Sequence, residues 1–160
     1  MTENDPPRPF STFNFHVELT LPGDQKPLCQ AAFSECDGLE MTMTPQTIRE
    51  GGNNNRPIHL LGPVAYGQLS LKRGMTDSFD LWAWFDRVRR RDGGGFRASG
   101  LVRLKSQDRE RDVAVFKLSG CLPTKLRAPS FNAKDGQIAV EEMQIAYERL
   151  ELVPPGTAGA

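Results

Sequence analysis

Between Tyr66 and Trp84 the chain reads YGQLSLKRGMTDSFDLWAW, and its periodicity changes once along the way. Up to Arg73 the leucines alternate with polar residues, the pattern of a half-buried strand. Beyond Gly74 the apolar residues recur at helical spacing. The helix is expected over about Ser78 to Arg90. Asp77 or Ser78 caps it, Asp80 occupies its first turn, and Arg87, Arg89, Arg90 and Arg91 complement the C-terminal end of its dipole before DGGG stops it. Leu81, Trp82, Phe85 and Val88 form the face that packs the helix on a sheet. Trp84 falls off that face, and an exposed tryptophan on a small domain is expected to anchor an interface.

The rest of the chain reads as short alternating runs divided by turns. FNFHVELTL places Phe13, Phe15, Val17, Leu19 and Leu21 on one side of a strand, and LPGDQKP then supplies a turn. A second strand is expected through CQAAFSEC. After the hairpin signal Asp37-Gly38 a third carries Leu39, Met41 and Met43. A short extension at Ile48-Arg49-Glu50, a Gly/Asn-rich loop and the apolar piece Ile58 to Leu61 follow. Leu101 to Lys105 and Asp112 to Leu118 form a hairpin around a charged turn at Gln107 to Glu110. GQIAVEEMQIAYERLEL fits either a helix or a strand with a one-residue bulge at Glu141-Glu142, and propensity leans to the helix. The sum is mainly β: an antiparallel β-sandwich or barrel of roughly seven strands with one flanking α-helix.

With 160 residues, 38% of them hydrophobic, the chain is large enough for one domain with its own core. We place that domain at residues 10–153, between a Pro-rich extension at 1–9 and a small-residue tail at 154–160. A net charge of zero argues against nucleic acid as the main partner. Residues 1–80 carry six Lys and Arg against ten Asp and Glu, and residues 81–160 carry 14 against ten. Halves of −4 and +4 favour head-to-tail attraction if they map to different surfaces.

Chemistry is hard to find in this sequence. Cys29, Cys36 and Cys121 have no metal or disulfide spacing and read as buried thiols. His16 and His59 have no second histidine at ligand spacing, and no GxSxG elbow appears. EGGNNNRP leads into a proline and RRRDGGGFR follows a helix, so neither is a phosphate loop. No catalytic residue, cofactor or metal is nominated. The N-terminus lacks a basic segment followed by an apolar one, and no run is long enough for a bilayer, so synthesis and assembly in the cytoplasm are expected. A monomeric binding or adaptor module using Trp84 and the arginine cluster is the alternative reading.

FSECDGLEM (Phe33 to Met41), IREGGNNN (Ile48 to Asn55), LSLKRGMT with LWAWF (Leu69 to Phe85), LPTKL and IAVEEMQIAYERL together resemble the tube proteins of contractile injection systems and phage tails, over nearly the whole chain. Phe116 stands where a Trp is common in that family. The resemblance implies a structural, non-catalytic subunit in six-membered rings stacked as a hollow tube. It also implies that Ile138 to Tyr147 is a strand. Expected partners are further copies of itself, a sheath protein, baseplate and tube-terminating proteins, and a cargo of protein or DNA, in a particle that is released extracellularly. Glu50, Gly51, Gly52, Asn53, Asn54, Asn55, Arg73 and Trp84 are the expected subunit or ring contacts.

Overall fold

The computed structural model describes residues 8–49, 51–52, 56–90 and 97–154. In chain order these form β1 (Phe15–Thr20), β2 (Cys29–Ala31), β3 (Glu35–Asp37), β4 (Met41–Met43), β5 (Gln46–Ile48), β6 (Ile58–Leu60), β7 (Val64–Tyr66), β8 (Gln68–Gly74), α1 (Asp80–Arg90), β9 (Ala98–Lys105), β10 (Asp112–Arg127), β11 (Val140–Ala146) and β12 (Arg149–Val153). The class is mainly β, antiparallel, with one helix among the described residues. There are more strands than expected, because CQAAFSEC splits into β2 and β3 and residues 41–66 contribute four short strands.

The main sheet runs β2-β1-β9-β10-β11-β8-β3, with β12 paired to β10. Its end strands, β2 and β3, are separated by only residues 32–34. Four residue steps reach at most about 14 Å, whereas the ends of a flat seven-strand sheet lie about 29 Å apart. The connection therefore forces the sheet to curl until its ends approach. Phe33 lies in that seam, buried, and the Ser34 N–H donates to the Lys72 carbonyl at 2.8 Å, extending the pairing of β3 with β8 towards it. β10 is long enough to serve both halves of the curl. Its first part pairs with β9 and β12 and its last part with β11, and between them Gly120 adopts φ 66°. A Cβ there would lie 2.9 Å from that of Glu148, so the position is closed to side chains by both strain and space.

Inside the curl, Val17 and Leu19 of β1 and Leu21 just beyond it meet Leu69, Leu71, Leu118, Met143 and Ile145. The two charge halves of the chain interleave, because β9 to β12 lie between β1 and β8 in the sheet. They do not form two separate surfaces.

The closing segment is a strand, as the resemblance implied, but it carries no bulge. β11 pairs with β8 in unbroken register from Val140↔Gly74 to Ala146↔Gln68. The register shift lies on the other side, between Pro123 and Lys125 of β10. Glu141, Met143, Ile145 and Tyr147 therefore all point inward, and Glu141 is 1% exposed.

A carboxylate at such a position needs a partner, and Arg73 on β8 supplies it. Arg73 Nε donates to Glu141 Oε1 at 2.6 Å, and its Nη2 donates to Asp80 Oδ1 and, at 3.2 Å, to the Ser78 carbonyl. Trp82 Nε1 donates to the second Glu141 oxygen at 2.9 Å. Arg73 also lies over the Phe33 ring, 5.7 Å from its centroid. Burial alone would lower the pKa of Arg73, but the hydrogen bonds to Asp80 and Glu141 outweigh it and hold the guanidinium above the ordinary arginine value. Arg73 is thus a structural cation rather than the surface contact expected from sequence. Glu141→Ala leaves a buried cation short of one partner and is expected to cost about 3–5 kcal/mol in urea unfolding. Glu35→Ala, which removes the exposed partner of Lys72, should leave the unfolding midpoint unchanged.

Candidate assembly surface

The two tryptophans of the helix exchange their expected roles. Trp84 is fully buried and Leu81 almost so, with Phe85 and Val88 packed beside them. Trp82 is 36% exposed. At 100° per residue, Trp84 lies about 65° to one side of the centre of Leu81, Phe85 and Val88, and Trp82 about 95° to the other. The narrower stripe is the one that folds inward. The wider position suits Trp82, whose ring N–H needs the Glu141 carboxylate at the edge of the core. A side chain with no exposed surface in the single chain cannot meet a neighbour, so Trp84 is no interface anchor. The adaptor reading also loses its aromatic contact. Of its arginine cluster, Arg89 and Arg90 pair with Asp86 on the same helix, at 2.6 and 2.7 Å.

The surface left without a partner lies elsewhere. Among the described residues β4 pairs only with β7 and β5 only with β6, so these four strands form a two-stranded arm that joins no larger sheet there. Every residue of β4, β5 and β6 is exposed. Cross-strand pairing sets Met43 opposite Val64 and Ile48 opposite Ile58, with Met41 and Leu60 continuing the two apolar rows. These six side chains are between 41% and 58% exposed. The alternate positions, Thr42, Ala65, Thr47 and His59, make the opposite faces polar or small. A two-stranded ribbon with nothing behind it is marginal in water. Full burial of each large side chain is worth about 1.5–3 kcal/mol, so covering six that are half exposed returns on the order of 6 kcal/mol.

Of the expected loop contacts, Gly51 and Gly52 form an exposed turn beyond β5, with Gly52 at φ 102°. Glu50, Asn53, Asn54 and Asn55 lie outside the described residues. Sequence reasoning singled out this loop and not the exposed apolar rows of the strands beside it, although the apolar alternation on both sides of the loop was there to read.

Nothing among the described residues gathers three or more His, Cys, Asp or Glu side chains as a metal site would. Burial pushes the thiols of Cys29, Cys36 and Cys121 up to about 12 from their ordinary 9.0, so they are protonated and unreactive near neutral pH. No described helix is long and apolar enough to cross a membrane.

A family model described as T4-like virus tail tube protein gp19 matches residues 11–151. A chain in the six-fold symmetrised baseplate of the anti-feeding prophage is 26% identical, with a TM-score of 0.81 over 92% of this chain and 97% of that one. A chain of the extended sheath-tube complex of the extracellular contractile injection system PVC is 20% identical, with a TM-score of 0.78 over 91% and 92%. Hcp1 from Flavobacterium johnsoniae shares the fold more distantly, at 16% identity and a TM-score of 0.50 over 87% and 95%. No curated protein matches the chain.

The burial difference between the tryptophans is directly measurable. Trp84→Ala is expected to destabilise the subunit by about 3–5 kcal/mol, and Trp82→Phe, which keeps an aromatic ring but loses the indole N–H that bonds Glu141, by about 1–3 kcal/mol. Urea unfolding followed by far-UV circular dichroism reads both, and a smaller loss for Trp84→Ala than for Trp82→Phe would contradict this packing.

Proposed function

This chain belongs to the T4-like virus tail tube protein family, and we propose that it is the ring-forming subunit of an inner tube, with six copies per ring and rings stacked into a hollow conduit. As a tail tube protein of contractile injection systems its role is structural. The observation that carries the finer reading is the arm: a ribbon with two apolar rows, held off a complete core, that no other sheet covers among the described residues. A second copy offers that partner at every subunit, and repetition of one heterologous contact generates rings or tubes instead of a closed pair.

The free strand edges favour the same outcome. β12 pairs on one side only, and β2 and β3 terminate the main sheet. Pairing between neighbours around a ring satisfies the backbone groups that an isolated subunit leaves to water. The baseplate and sheath-tube assemblies in which the similar chains occur, and the tube-terminating cap of the anti-feeding prophage, which also holds a similar chain, support a sheath, a baseplate and a terminating cap as partners of the finished tube. Sheath contraction then drives the conduit through a target envelope, with protein or DNA cargo in its lumen. Assembly takes place in the cytoplasm and the particle is released afterwards.

The arm separates folding from assembly. Met43→Asp combined with Ile58→Asp places charge in both apolar rows without touching the core. The expected product is a subunit with the circular dichroism and melting temperature of the wild type that sediments as a monomer where the wild type polymerises. Normal tubes from this variant would remove the arm from the interface.

A further inference from the structure

The arm leaves the body between Gly38 and Glu40 and returns at Tyr66 and Gly67, and one side chain from a distant strand touches both legs. Tyr147 follows β11, and its ring is buried in the core at 5% exposure. Its hydroxyl lies 2.7 Å from the Gly38 carbonyl and 3.1 Å from that of Glu40, and it accepts the Glu40 N–H at 3.0 Å. A hydroxyl has one proton to give, and the shorter contact assigns it to Gly38. On the return leg the Tyr66 ring stacks at a tilt against that of Tyr147, with centroids 5.8 Å apart.

The legs themselves are as close as backbone permits. Gly67 N–H donates to the Glu40 carbonyl at 3.2 Å, and a Cβ on Gly67 would come within 2.4 Å of the Glu40 side chain. A Cβ on Gly38 would lie 1.9 Å from the Gln68 carbonyl oxygen, and Gly38 holds φ 93°, a conformation that side-chain-bearing residues rarely adopt. Two glycines at a root would ordinarily make a hinge. Here their missing side chains are the space into which the opposite strand fits, and the Tyr147 hydroxyl holds the outgoing leg.

We propose that Tyr147 is a positioning residue that fixes the direction of the arm in the free subunit, so that the apolar rows are presented to the next copy already aligned. This rests on the tube-subunit reading above. The consequence is for assembly more than for folding. An arm fixed in advance loses less conformational freedom on docking, and that saving appears as tighter and faster association. The phenol ring packs the core whether or not it carries oxygen, so the two roles of Tyr147 are separable by a single atom.

Tyr147→Phe tests it through two readouts made together. Amide hydrogen exchange of the monomer should show protection at Glu40 falling roughly tenfold, the loss expected for one hydrogen bond, a fall larger than that across β8, β9 and β11, while the melting temperature drops by only about 2–4 °C. The critical concentration for polymerisation should rise at least severalfold. An unmoved Glu40 amide, or an unmoved critical concentration, overturns the proposal. Should the variant fail to fold, the wild-type monomer decides: the Glu40 amide must exchange with the slow amides of the barrel, and exchange as fast as at exposed Gly51 and Gly52 overturns it. A wild type that never polymerises contradicts the tube assignment instead, and the exchange comparison then judges the joint separately.

Discussion

The fold is tied at one buried cation. Arg73 reaches from β8 to Glu141 on β11, to Asp80 and the Ser78 carbonyl at the start of the helix, and over Phe33 in the seam where the ends of the main sheet approach. Each of those elements has a hydrophobic reason to be near the core, but only the ion cluster sets their relative positions. Glu141 is inward because β11 alternates without a break, and inward only because Arg73 is there to receive it. An apolar pair of similar volume can pack as stably, since desolvation offsets much of the attraction between buried charges. What the charged pair adds is uniqueness: a slip of β11 by one residue would strand both ions.

A body fixed in this way leaves the arm as the exception. Along most of the main sheet the apolar residues alternate into a shared interior, whereas along β4, β5 and β6 they line a ribbon in which every residue is exposed. Such a ribbon is a poor investment for a protein that works alone. It is what a polymer subunit needs, because the contact is absent in the monomer and repeated at every joint. The Tyr147 clamp connects the two regions, joining the end of β11, the strand that carries Glu141, to the root of the arm.

Much of this was legible in the sequence where the signal is local. The strand-to-helix change at Gly74, the β9–β10 hairpin and the single helix follow from periodicity and end signals that lie within a few residues of one another. The errors share a different cause. Trp82 and Trp84 both lie within reach of the helix's apolar stripe, and the choice between them depends on Glu141, 59 residues beyond Trp82. The bulge at Glu141-Glu142 follows from putting Ile138 and Val140 on one face with Met143, Ile145 and Tyr147, a pattern that fails when an arginine 68 residues away lets Glu141 take the inward position. Asp37-Gly38 has the turn chemistry of a hairpin, and Gly38 does take a positive φ, but β3 pairs with β8 and β4 with β7, so the turn redirects the chain into the arm. For the assembly surface, the apolar alternation of β4 to β7 was visible, but that it faces water is a property of what does not pack against it.

The central claim, that this subunit is built to polymerise through surfaces it cannot satisfy alone, is tested most directly by electron microscopy of the purified protein over a range of concentrations, with solution mass measured on the same samples. Six-fold rings that stack into hollow tubes as concentration rises are the predicted result. A folded species that stays monomeric at every concentration, and also when supplied with preformed tube ends as seeds, would contradict it.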